Sequence, residues 1–194
     1  IPALEDLGGG SGVGALFLDE PTWPAHYNKQ PLMADWGRKA VYLHRLEEDG
    51  ASFTQTQEEF VQISQVSDLD IDPSGQLFLS AWDGAGFKGD ETKGYLVRVV
   101  PQDWKYEPAP DFQAADLETL AALVGSASDK TRLYAQQELI SRKDAATMIP
   151  SLVRIFENES MSLEARVAAF YTFAQIETAP AVILAKGTGD LREF

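Results

Sequence analysis

Two stretches decide how this chain is read: Leu32-Met33-Ala34-Asp35-Trp36-Gly37 and Phe78-Leu79-Ser80-Ala81-Trp82-Asp83-Gly84. Each is a short apolar run that ends in a Trp/Asp pair and a glycine. Each is followed by a second strand-like run, Val41-Tyr42-Leu43-His44-Arg45 in one case and Gly94-Tyr95-Leu96-Val97-Arg98 in the other. The two sets therefore read as copies of one unit.

Working outward, alternating apolar runs of four to eight residues predict strands near 12–18, 31–35, 39–46 and 53–63. A second group lies near 66–72, 75–82 and 94–100. Between Ile71 and Gln76, Asp72-Pro73-Ser74-Gly75 supplies a fixed φ at Pro73 and a permissive Gly75, as a tight turn requires. A repeat of roughly 45–50 residues with three or four strands per unit is the mark of a β-propeller. The expected fold is thus an incomplete ring of about two β-propeller blades over residues 1–103. Two blades leave bare faces and unpaired edges, so the missing blades are expected in an absent segment or a partner chain.

Pro101, Pro108 and Pro110 mark a Pro-rich linker over 104–113. The period then changes. Leu117, Leu120, Ala121 and Val124 share one helical face behind a capping Asp116, and further helices open at Asp129, Asp144 and Ser162. Pro150 should kink the third of these, and a fifth is expected after Pro180. Helices at this spacing predict an all-α HEAT-like helical repeat region over 114–194, cut short at its C-terminal end. A capped four-helix bundle is the alternative.

Bulk properties bound the function. The chain has 194 residues, 44% apolar and 24% charged, with mean hydropathy −0.20, the composition of a folded protein. No apolar run approaches the length of a membrane span. A net charge of −14 repels phosphate backbones and anionic lipids, so nucleic acid is not an expected partner. With no cysteine, disulfides, thiolate metal sites, a cysteine nucleophile and covalent c-type haem are excluded within these residues. The chain opens at Ile1 without a leader segment, which is expected to lie upstream or to have been removed.

No motif identifies a reaction. Gly8-Gly9-Gly10-Ser11-Gly12-Val13-Gly14 lacks the Lys-Ser/Thr ending of a phosphate loop and leads into a strand. Asp68, Asp70 and Asp72 would share a strand face, but Pro73 and Leu79 stand where an EF-hand needs Gly and Glu. His26 and His44 are the only histidines and form no metal-binding pair. No catalytic residue and no metal ligand is assigned. The repeated tips are the candidate cofactor-binding residues: Asp35, Trp36, Arg38, Trp82 and Asp83. A Trp offers a stacking surface and Arg38 can face an acidic group. The alternative is that each Trp wedges against its neighbour while each Asp satisfies turn amides.

At this point the sequence resembles a family. Pro24-Ala25-His26-Tyr27, Leu32 to Arg38, Val41-Tyr42 and His44-Arg45-Leu46 look like a late blade of bacterial membrane-bound dehydrogenases similar to glucose/sorbosone dehydrogenases. Asp68 to Trp82 resembles that family's final blade, and Arg132 to Leu139 the HEAT repeats that come after it. The resemblance implies a periplasmic or extracellular protein that oxidises sugars or alcohols with a quinone cofactor, with calcium in the complete protein, and passes electrons to a c-type cytochrome. The chain departs from it by holding only the last blades, lacking Cys-x-x-Cys-His and carrying a longer loop after Trp82. The other reading is a non-catalytic scaffold or binding subunit of a larger complex.

Overall fold

The computed structural model describes residues 9–84 and 92–176. The chain divides into two compact units after Glu107.

Among its described residues the first unit holds seven strands: β1 (Gly12–Leu18), β2 (Gln30–Asp35), β3 (Ala40–Asp49), β4 (Ser52–Gln62), β5 (Val66–Ile71), β6 (Leu77–Trp82) and β7 (Gly94–Val99). All pairings are antiparallel, giving a four-stranded sheet β1-β2-β3-β4 and a three-stranded sheet β5-β6-β7. Strand alternation puts Leu18, Leu32, Val41 and Leu43 on one face of the first sheet, and Leu69, Ile71, Leu77 and Leu79 on one face of the second. All eight belong to a single buried core.

That shared core corrects the expected architecture. Among the described residues, two small antiparallel sheets bury their apolar faces in one core. The repeated strands are present where the sequence puts them, but they are not part of a β-propeller ring.

Two local devices hold the sheets together. Gly14 on β1 lies so near β5 that a Cβ there would come within 3.0 Å of the Asp68 backbone and 2.7 Å of the Leu69 side chain. The second device is the Asp72 turn, whose carboxylate accepts from Ser74 N (2.9 Å), Ser74 Oγ (2.6 Å), Gln76 N (3.0 Å) and Gln76 Nε2 (3.0 Å). Gly75 has φ +83, and its carbonyl accepts from the indole of buried Trp23 at 2.8 Å. The Ser74 carbonyl accepts from Trp104 Nε1 at 3.0 Å. Trp23 also packs on Tyr27 and Phe60. One turn thus anchors the β1–β2 loop and the segment after β7.

The second unit contains α1 (Leu117–Leu123), α2 (Asp129–Ser141), α3 (Ile149–Glu157) and α4 (Leu163–Ile176), with a 3-10 turn at Ala145–Met148. Asp116 caps α1 by accepting from Thr119 N at 2.7 Å, and Ser128, not Asp129, caps α2 through Thr131 N at 3.0 Å. Buried Arg132 donates to the carbonyls of Ser126 and Ala127, closing the α1–α2 loop. Pro150 does not kink a long helix. It stands in the first turn of α3, where its missing N–H costs nothing, and the 3-10 turn takes up the residues before it.

Leu120, Val124, Ala135, Leu139, Leu152 and Ala169 make one core for all four helices. Among the described residues, four short helices give at most two pairs, below the three or more stacked repeats a solenoid needs. The second unit is therefore not an all-α HEAT-like repeat region. The helix expected after Pro180 lies outside the described residues.

Gly75→Ala tests the turn, because it forces a side chain into a left-handed conformation against Thr22 Oγ1. It should lower unfolding free energy by about 1–3 kcal/mol in a urea titration. An unchanged midpoint would contradict the anchoring role.

Candidate functional site

The five residues singled out in the sequence fall at the ends of β2 and β6. Asp35 is 1% exposed. Its Oδ1 accepts from Ser11 N and Arg38 N, each at 2.9 Å, so it holds the β2–β3 turn, where Lys39 takes a positive φ of 59. The Arg38 guanidinium lies 4.1 Å over the Tyr42 ring centroid, and its Nη2 donates to Gln57 Oε1 at 3.0 Å. Trp36 and Trp82 meet, with ring centroids 6.1 Å apart. Asp83 is exposed and accepts from Ser64 Oγ at 3.2 Å.

The structure therefore brings the two tryptophans together and turns Asp35 and Arg38 inward. That arrangement does not fit a quinone. A quinone cofactor needs polar groups at its ring oxygens, whereas Asp35 is sealed beneath the turn by its bonds to Ser11 N and Arg38 N. Among the described residues there is no group of three His, Cys, Asp or Glu that could hold a metal ion. The Asp68, Asp70 and Asp72 series is spent on backbone: Asp68 and Asp70 accept from the next residue's N–H and Asp72 closes its turn.

A second polar group was not singled out by sequence. His26 Nε2 donates to Glu58 Oε1 at 2.9 Å, while Arg45 donates to Glu58 Oε2 from Nε (3.2 Å) and Nη2 (2.9 Å) and to the His26 carbonyl (3.0 Å). This triad ties the β1–β2 loop to β3 and β4. The hydrogen bonds from Arg45 first, and from His26 second, hold the Glu58 carboxyl below its ordinary value of 4.5.

A third group lies on the face of the first sheet away from the core, where Tyr42 and His44 are buried. His44 Nδ1 meets Gln55 Oε1 at 2.9 Å. Spacing of two along β3 and β4 is visible in the sequence, but the register that sets His44 opposite Gln57 is not. The helical unit adds a shallow cleft of about 440 Å³ between α1 and α3, rimmed by Glu118, Arg154 and Asn158. Its Arg154 is occupied with Ser151 Oγ at 2.8 Å.

No family model matches the chain, and no curated protein or solved structure matches it. Among the described residues no helix is long and apolar enough to cross a membrane.

The depressed Glu58 carboxyl has a pH signature. Because its folded pKa is lowered, its contribution is full above the ordinary value and is lost as pH falls through the folded one. Urea midpoints measured at descending pH below 4.5 should fall less steeply in Glu58→Gln than in the parent. Parallel curves would remove the triad's role.

Proposed function

We propose that the chain is a non-catalytic binding subunit whose β unit adds an extended partner segment along β1. The observation that carries this reading is the character of that edge. β1 stands at the margin of its sheet, is uncharged over all seven residues, and exposes Val13 by 47% and Phe17 by 53%. Folded proteins normally blunt such edges with charge, bulges or cover; β1 carries one irregularity, between Gly12 and Ala15, and no charge, which leaves Ala15 to Leu18 as the regular stretch of the edge.

The contrast within the sheet supports the reading. The opposite edge, β4, carries Glu58, Glu59 and a row of Thr and Gln, which makes it a poor template. On the second sheet, the edge strand β7 likewise presents Leu96, 74% exposed, while β5 carries Asp68 and Asp70. With a net charge of −14, a partner strand flanked by basic residues is drawn in and an acidic one is repelled. Main-chain bonds would give affinity, and the exposed Val13 and Phe17 side chains would select apolar side chains of the partner.

The quinone-dependent sugar or alcohol dehydrogenase reading is the second proposal. It keeps the sequence resemblance and the Trp36–Trp82 pair as its support. The inward Asp35 and Arg38 favour the binding subunit over it, and a periplasmic or extracellular setting with a c-type cytochrome partner belongs to that second proposal.

A lysine-flanked peptide of alternating Val and Thr is the probe. Titrated into the full chain, it should protect β1 amides from hydrogen exchange. A Val13→Lys/Phe17→Lys double variant should weaken binding by about tenfold or more, some 1.4 kcal/mol. Protection elsewhere, or equal binding by the variant, would refute the docking edge.

A further inference from the structure

Buried polar atoms in folded proteins nearly always have hydrogen-bond partners, so a cluster of exceptions points to something that completes it. Three such atoms fall together on the outer face of the first sheet: Arg38 Nη1, His44 Nε2 and Gln57 Nε2. Gln57 is the cross-strand partner of His44, which sets their Cβ atoms about 4.5–5.5 Å apart. Arg38 reaches the same place, since its other terminal nitrogen donates to Gln57 Oε1 at 3.0 Å. His44 is only 5% exposed.

The polarity of the three atoms can be assigned. Gln55 Oε1 sits 2.9 Å from His44 Nδ1, and an amide oxygen only accepts, so Nδ1 carries the proton. In the neutral ring Nε2 then offers a lone pair. Arg38 Nη1 and Gln57 Nε2 are donors. Two donors and one acceptor describe the complement of a hydroxyl group, whose oxygen accepts twice and whose proton is given away. A carboxylate would satisfy the two donors but set an oxygen lone pair against that of His44.

We infer that Arg38, His44 and Gln57 form a subsite for one hydroxyl group of a small neutral polyol. The oxygen accepts from Arg38 and Gln57 and donates to His44 Nε2. Gln55 holds the imidazole in the tautomer this needs. Arg38 forms the outer wall of the subsite: its side chain arises from the turn between β2 and β3 and lies across Tyr42. This site is separate from the β1 edge and stands or falls independently of it.

The two histidines of the chain make the test direct. Glycerol titrated into the full ¹⁵N-labelled protein, followed through imidazole ¹H–¹⁵N correlations, should shift the His44 ring signals saturably and leave His26 unmoved. Gln57→Leu, with its thermal transition checked, should abolish the shift, and Arg38→Leu should weaken it at least tenfold. Acetate should leave His44 unchanged. The inference is overturned by a silent His44 in the parent protein, by an equal drift of both histidines, by a response to acetate instead of glycerol, or by a water signal at His44 that glycerol does not displace.

Discussion

The β unit depends on the carboxylate of Asp72. By taking four hydrogen bonds from Ser74 and Gln76, it fixes a turn whose next two carbonyls face outward as acceptors. Trp104 occupies the Ser74 carbonyl and Trp23 that of Gly75. A buried indole N–H usually finds a partner, and these two bonds pin each tryptophan in orientation as well as in place. Trp23 then carries Tyr27 and Phe60 onto the common core. A loop leaving the first sheet and a segment leaving the second are thereby fastened to one point.

That anchoring explains how the candidate residues are used. Where a chain turns sharply between strands, side chains near the turn are recruited to satisfy backbone donors. Asp35 serves Ser11 and Arg38 in this way, and Asp72 serves its own hairpin. Polar groups so engaged are poor ligands for anything else, which moves functional interest away from the tips. It shifts to the uncharged edge at β1 and to the outer face beneath Arg38, where polar atoms are buried without partners.

Local structure was largely legible. Alternation located every strand to within about three residues, since a half-buried strand writes its period of two into the sequence. The Asp-Pro-Ser-Gly turn and the Asp116 cap came from side-chain chemistry alone. The higher level was not legible. Whether the apolar faces of two similar sheets share one core or await further blades depends on residues far apart in sequence, such as Leu32 and Leu79, entering the same cluster, which no local pattern encodes. The repeat of Trp36 and Trp82 suggested a ring, yet the same repeat serves two sheets that close on a single core. The helical period was read correctly at α1 and the starts of α2 and α4 to within a residue or so, but a helix position does not say how many helices share one core. Likewise His44, Gln55 and Gln57 could be placed on strands, while their meeting required the register of β3 on β4.

The central claim is that both sheets are one cooperative body built on one core. Native-state hydrogen exchange of the full chain carrying Leu32→Ala tests it most directly. If the core is shared, amides of β6 lose as much protection as those of β2 and β3. Loss confined to the first sheet, with β6 protection unchanged, would contradict the account.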